Sequence, residues 1–122
     1  MKRDMDLARK ILLEIESWSY DKFADIPVIE GYSQEEVGFH SYLLKEAGLI
    51  DGIDRRVDQL PVPCTIPRRL TWNGYEFLEA SRDPARWEKA KGIASKLGGA
   101  TLSIFIQILT AMMTEQVKKL MP

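Results

Sequence analysis

Histidine and cysteine, the side chains that bind structural zinc and form disulfides, are nearly absent from this chain. The 122 residues include one histidine, His40, and one cysteine, Cys64. A single cysteine cannot form an internal disulfide, and one histidine leaves no Cys/His cluster with the spacing of a zinc site. We therefore expect no metal and no cofactor, and the cysteine content leaves the cellular compartment open.

Catalytic motifs are missing as well. His40 falls on an apolar helix face, where a hydrogen-bonded core histidine is more frequent than a catalytic one. Cys64 has no acid or histidine at a recognisable spacing, so we interpret it as a small packed side chain. Gly98-Gly99 precedes a helix but lacks the Lys-Ser/Thr of a nucleotide-binding loop. We predict that the protein is not an enzyme.

A strong net charge of either sign is also lacking. The formal net charge of −1 gives no general attraction to nucleic acid or to an anionic membrane. Residues 1–50 hold six Lys/Arg against ten Asp/Glu, whereas residues 51–122 hold eleven against eight. The charged N-terminus does not resemble a signal peptide, and polar residues dilute the uncharged run 97–114 too much for a membrane span. We expect a cytoplasmic protein without membrane association.

The first half of the chain alternates helical and extended patterns. Residues 4–18 carry apolar side chains at three- and four-residue steps, which predicts an amphipathic helix. Residues 26–29 form a short β-branched run that contains a proline, typical of a brief edge strand or extended segment. A second helix covers 33–47, Leu49-Ile50 continues as a strand, and Asp51-Gly52 predicts a turn.

The second half is predicted to be a hairpin followed by helices. Residues 53–69 form the loop and the returning strand of a two-stranded β-wing, and Thr71 caps the next helix. A further helix begins at Asp83-Pro84 and ends at Gly98-Gly99, with Trp87, Ala90, Ile93, Ala94 and Leu97 facing inward. The last helix runs from about Thr101 to Leu120. The predicted fold class is α+β, mainly α: a winged helix followed by two or three C-terminal helices. We expect a winged-helix domain over residues 1–82 and a C-terminal helical extension over residues 83–122, which packs on that domain or forms a dimer interface.

The second helix has a capping-box spacing at Ser33 and Glu36 and a glycine stop at Gly48. Its predicted apolar arc comprises Val37, Phe39, His40, Leu43, Leu44 and Ala47, together with Glu36. Its predicted polar arc comprises Gln34, Glu35, Gly38, Ser41, Tyr42, Lys45 and Glu46.

Two motifs carry a family resemblance. LLKEAGLI at 43–50, followed by RLTWNGYEFL at 69–78, is similar to the pattern of winged helix-turn-helix proteins. Together with the opening MKRDMDLARKILLEIE, the whole chain resembles a family of small uncharacterised proteins of bacteria and their phages and prophages, catalogued as a domain of unknown function. The resemblance implies a winged-helix fold and a mobile-element setting, with no established activity.

The fold analogy suggests a DNA-binding transcriptional regulator as the first functional hypothesis. The polar arc of the second helix would face the major groove, and the arginines of the wing would contact phosphates or the minor groove. The residues expected to bind double-stranded DNA are Gln34, Ser41, Tyr42, Lys45, Arg55, Arg56, Arg68 and Arg69.

A second hypothesis is a winged-helix scaffold that binds and modulates a host or phage protein without contacting DNA. Glu35 and Glu46 lie on the same polar arc, and the dozen residues before Ser33 leave little room for a positioning helix. In this interpretation the wing arginines pair with Asp51, Asp54 and Asp58.

The last helix is apolar around most of its circumference, so it lies in the core or is shared across a homodimer. We predict dimerisation through this helix, or docking of a host protein on it. The stripe expected to form the interface is Leu102, Phe105, Leu109 and Met112.

Overall fold

A computed structural model describes residues 1–19, 25–55 and 62–122. Within these ranges it contains five helices and one antiparallel pair of strands: α1 (Met5–Glu16), α2 (Gln34–Glu46), β1 (Ile50–Arg55), β2 (Cys64–Leu70), α3 (Trp72–Ser81), α4 (Pro84–Lys96) and α5 (Leu102–Leu120). The prediction of a mainly helical α+β fold is confirmed. No helix in the described ranges is both long and apolar enough to cross a membrane.

The chain divides into two compact units, Met1–Tyr75 and Glu76–Pro122. The first unit contains α1, α2, the β1–β2 hairpin and the first turn of α3. The second contains the rest of α3 with α4 and α5. The domains 1–82 and 83–122 that the sequence suggested stay a prediction.

Side chains close the open ends of α1 and α2. Asp4 accepts hydrogen bonds from the backbone N–H groups of Asp6 and Leu7. Ser33 and Glu36 form the reciprocal capping box that their spacing predicted, each side chain accepting from the other residue's N–H. These bonds satisfy donors that a helix start otherwise leaves free.

His40 joins the two helices and is a core histidine, as predicted. Its Nε2 accepts the Asp4 N–H at 2.8 Å, while its Nδ1 lies 2.8 Å from the Glu36 carbonyl oxygen. Nδ1 therefore carries the proton, and both ring nitrogens are used for structure.

The buried arc of helix α2 is shifted from the one that its sequence pattern indicates, since Ala47 is exposed and Phe39 and Leu43 are half-buried. It packs against α1 and also against β2. Gly38 and Ser41 are buried, so their assignment to the solvent-facing arc was wrong. A Cβ on Gly38 would lie 2.4 Å from the Cys64 Sγ, which shows how closely the helix approaches β2. The Ser41 hydroxyl donates to the Val37 carbonyl oxygen of the preceding turn at 2.8 Å.

The sheet corrects two strand predictions. Asp51-Gly52 is not a turn but lies inside β1, where the register shifts by a bulge, and a Cβ on Gly52 would lie 2.6 Å from the Ile66 carbonyl oxygen. Residues 26–29 form no strand, so of the two predicted alternatives, brief edge strand or extended segment, the strand is wrong; Pro27 has no N–H to donate to a neighbouring strand. Ile26 and Ile29 are nevertheless buried.

The end of α2 is locked to the start of α3 by backbone contacts. Gly48 adopts a left-handed φ of 77°, which turns the chain into Leu49 and β1. The Leu49 carbonyl oxygen accepts the Thr71 N–H at 3.0 Å. The Thr71 hydroxyl caps α3 by accepting the Gly74 N–H at 3.1 Å, and it donates to the Gly48 carbonyl oxygen. A Cβ on Gly74 would lie 1.9 Å from the Leu49 carbonyl oxygen.

The second unit is built around stacked aromatic side chains. Trp87 of α4 stacks on Phe105 of α5 with ring centroids 5.2 Å apart, and it also meets Phe77 of α3 edge-on at 6.2 Å. Asp83 caps α4 as predicted, and Gly98 and Gly99 end it in left-handed conformations. Leu97, which was expected to face inward, is exposed because it follows the last turn of α4.

The close approach of Gly38 to Cys64 predicts a strong coupling between these two sites. Gly38→Ala should lower the free energy of unfolding, because the new Cβ would clash with Cys64 Sγ even though alanine favours helices. In a Cys64→Ala background the Sγ contact is removed and only the closer approach to Ile26 Cδ1, at 3.0 Å, is left. Urea denaturation should therefore show a favourable coupling of about 1–2 kcal/mol. Gly92→Ala, where the Cβ meets nothing within 4 Å, should instead stabilise α4. If the effects of Gly38→Ala and Cys64→Ala on the free energy of unfolding simply add, the prediction is wrong.

The α2–α3 junction predicts that the hydroxyl of Thr71 contributes more to stability than its β-branched shape does. Thr71→Val keeps the β-branch but leaves the Gly74 N–H and Gly48 carbonyl oxygen without this partner, so the free energy of unfolding should fall by about 1–2 kcal/mol. Thr71→Ser retains the hydroxyl and should retain most of the stability. Equal losses in the two variants, measured by thermal and urea unfolding, would be inconsistent with this role.

Candidate functional site

Lys45 of α2 lies beside the hairpin rather than free in solvent. Its Nζ is 3.1 Å from Asp54 Oδ1 on β1, and the Thr65 hydroxyl on β2 donates to the same oxygen at 2.8 Å. Thr65 is buried and stands opposite Asp54 in the sheet register. These two hydrogen bonds, first from Thr65 and then from Lys45, hold the pKa of the Asp54 carboxyl below its usual value.

Two of the arginines assigned to DNA contact are also in ion pairs. Arg55 Nη1 lies 2.6 Å from Asp25 Oδ1, and Arg69 Nη2 lies 3.0 Å from Asp51 Oδ2. The predicted pairing of a wing arginine with Asp51 is therefore confirmed, whereas Asp54 pairs with a lysine. Arg68 is half-buried on β2. Arg56 and Asp58, which the two hypotheses also used, lie outside the described residues.

The polar face of α2 is narrower than predicted and carries acidic groups. Gln34 is exposed and Tyr42 is half-exposed, while Ser41 is fully buried and cannot reach a DNA base. Glu35 and Glu46 are exposed on the same helix. Carboxylates near phosphates weaken DNA binding, so this face offers a poor reading surface.

The surroundings of His40 and Cys64 are those of residues that hold the fold together rather than of reactive groups. Both nitrogens of His40 are hydrogen-bonded, and Cys64 is buried in β2 against Gly38. Burial raises the pKa of the Cys64 thiol, which disfavours the reactive thiolate. Across residues 1–19, 25–55 and 62–122, no three His, Cys, Asp or Glu side chains come together as a metal site requires.

The sequence pattern missed an exposed aromatic pair on α3. Trp72 is 79% exposed and Tyr75 is 48% exposed, and their spacing of three residues places them on one helix face. Phe77 and Leu78 of the same helix are buried, so the apolar content of α3 concealed which side chains are covered. A large exposed aromatic residue is the informative exception on a protein surface.

The stripe predicted as a dimer interface on α5 is partly used inside the chain. Phe105 and Leu109 are buried, so a partner cannot reach them, and Leu102 and Met112 are half-buried. Met112 lines an open cleft of about 550 Å³ between α4 and α5, with Lys89, Ile93, Ala111, Glu115, Gln116 and Lys119. Homodimerisation itself stays a prediction.

Comparison with known proteins confirms the resemblance to an uncharacterised family. Residues 2–101 match the family model described as hypothetical protein (DUF2513). An uncharacterised protein of Haemophilus influenzae is 40% identical over 92 residues, which cover 75% of this chain and 76% of that protein. No solved structure matches the chain. The phage or prophage setting stays a prediction.

The hydrogen bonds to Asp54 predict how its titration responds to mutation. In Thr65→Val the pKa of Asp54 should rise, and in Lys45→Met it should rise by less, because the hydroxyl has the larger effect. Since the folded-state pKa is lowered, this carboxylate stabilises the fold above its unfolded-state pKa, and the contribution disappears as pH falls through the folded value. NMR titration of the Asp54 side chain measures the shift. Lys89→Met, far along the chain on α4, serves as the control and should leave the pKa of Asp54 unchanged. An unchanged pKa of Asp54 in Thr65→Val would refute the assignment.

Proposed function

We propose that this chain, which belongs to the DUF2513 family of hypothetical proteins, is a non-enzymatic winged-helix protein that binds and modulates another protein. The observation that carries the proposal is the exposed pair Trp72 and Tyr75 on α3. Trp and Tyr are enriched among the side chains that dominate protein–protein binding energy.

The winged-helix assignment is supported by the first unit. Its elements follow the order α1, α2, β1, β2, and α2 passes through the left-handed Gly48 directly into the hairpin. The capped start of α3 then holds the returning strand next to the end of α2. This order suits a helix and wing that share one scaffold.

The charge of the first unit favours a protein partner over DNA. Residues 1–75 contain ten Lys/Arg and thirteen Asp/Glu, a formal charge of −3. Lys45, Arg55 and Arg69 each have a carboxylate within 3.1 Å, so their charges are largely compensated at the surface. Affinity for duplex DNA depends on cations that are free to replace phosphate counterions.

A protein with an apolar pocket and a positively charged rim fits these features. The aromatic rings of Trp72 and Tyr75 would fill the pocket, and the acidic unit would face the rim. The mobile-element setting implied by the family resemblance makes a host or phage protein the expected partner.

Photo-crosslinking in the native host tests this proposal. A photoreactive phenylalanine analogue in place of Tyr75 should give a discrete protein adduct, which can be identified by mass spectrometry. With the partner in hand, Trp72→Ala should weaken binding by about thirtyfold while leaving the melting temperature unchanged, because the side chain is exposed.

Leu97→Ala is the matched control, since Leu97 is an exposed apolar residue that does not belong to the Trp72 and Tyr75 pair. It should bind the partner as the parent protein does. The proposal fails if Trp72→Ala and Leu97→Ala bind equally well.

DNA binding as a transcriptional regulator is the second candidate. It is favoured by the placement of Lys45 on α2 and of Arg55 and Arg69 on the hairpin strands, where a winged helix would meet a duplex. Fluorescence anisotropy with random duplex at low salt separates the two functions. The protein-binding proposal expects no affinity for duplex DNA that falls steeply with salt. Binding of that kind, lost in the double variant Arg55→Glu, Arg69→Glu, would establish the DNA function instead.

A further inference from the structure

An uncovered seam runs along α5 beside its buried face. Six residues at alternating steps of three and four lie on one side of the helix, and all are exposed or half-exposed: Ser103, Ile106, Thr110, Met113, Val117 and Leu120. Ile106 is 42%, Val117 51% and Leu120 78% exposed. Alternating steps of three and four place side chains on the seam by which two helices pack knobs into holes.

The charges of α5 avoid this seam. Glu115, Lys118 and Lys119 are the charged residues of the helix, and none belongs to the three-four series or lies directly beside the seam. A twofold axis packs the same helix face against itself, so a seam with charges of one sign would repel its own copy. A neutral apolar seam carries no such penalty and suits a second copy of the same helix.

The sizes of the seam residues favour an antiparallel pair. If two copies of α5 run antiparallel about a point between Ala111 and Met112, each layer joins residues whose numbers have the same sum. Ser103 meets Leu120, Ile106 meets Val117, and Thr110 meets Met113. The two hydroxyl residues then each face a long apolar side chain, whereas a parallel pair would stack serine on serine and threonine on threonine.

We propose that the protein forms a twofold dimer in which the Ser103–Leu120 seams of two α5 helices pack antiparallel. The occupant of the seam is a second copy of this chain, because the antiparallel register overlaps the whole of α5 and leaves no charge in the contact. The interface differs from the Leu102, Phe105, Leu109, Met112 stripe, whose Phe105 and Leu109 already pack within the chain. It shares no residue with the Trp72 and Tyr75 pair.

Sedimentation velocity tests the dimer over a wide range of concentration. The parent chain should show concentration-dependent dimerisation, and Val117→Glu with Leu120→Glu should weaken it by about a hundredfold, because carboxylates would be buried in the contact. Lys118→Glu introduces the same group one residue from Val117 but off the seam, and should leave dimerisation unchanged. Circular dichroism should show all variants folded, since these side chains are exposed. A parent chain that is monomeric throughout, or a dimer indifferent to both seam changes, overturns the proposal.

Disulfide trapping tests the direction of the helices. Cys64 is buried, so an introduced cysteine supplies the accessible thiol. An equimolar mixture of Ser103→Cys and Leu120→Cys chains should cross-link into a heterodimer. Ser103→Cys alone should not, because in the antiparallel pair its two copies stand about 25 Å apart. Efficient cross-linking of Ser103→Cys with itself would establish a parallel pair and overturn the proposed packing.

Discussion

The contact on which the first unit depends is the backbone lock between the end of α2 and the start of α3. Gly48 turns the chain, and the Thr71 N–H donates a hydrogen bond to the Leu49 carbonyl oxygen. The Thr71 hydroxyl donates to the Gly48 carbonyl oxygen and accepts from the Gly74 N–H. Gly74 must be glycine because the Leu49 carbonyl fills the space of a Cβ. The lock fixes the start of β1 and the end of β2, since β1 begins just after Leu49 and β2 ends just before Thr71.

This lock also gives a physical reason for the two motifs that carried the family resemblance. The segments LLKEAGLI and RLTWNGYEFL are separated by eighteen residues, and the structure brings Gly48, Thr71 and Gly74 into one junction. Caps, glycine stops and helical periods could be predicted from sequence because each depends on residues within one turn of the helix. The capping box at Ser33 and the cap at Asp83 have the same local origin.

Errors arose where a distant segment decides the outcome. Ser41 and Gly38 have polar or small side chains, and they are buried because α2 packs against α1 and both strands, which the local pattern does not reveal. Asp51-Gly52 has the composition of a turn, but the close approach of Ile66 makes Gly52 a bulge within a strand. Likewise, Trp72 and Phe77 are both aromatic residues on α3, and nothing within the helix indicates that one is exposed and the other buried.

The same reasoning explains why the expected binding residues and the available ones differ. A cation that a strand places beside an aspartate is compensated before any ligand arrives, as at Arg55 and Arg69. An apolar helix stripe that meets a tryptophan is buried before any partner arrives, as at Phe105. Residue type predicts which side chains could bind, but the intramolecular contacts decide which remain free to do so. Trp72 and Tyr75 on α3 and the aliphatic side chains of the α5 seam are among those that stay exposed. Exposed apolar side chains of this kind are better suited to protein partners than to phosphate.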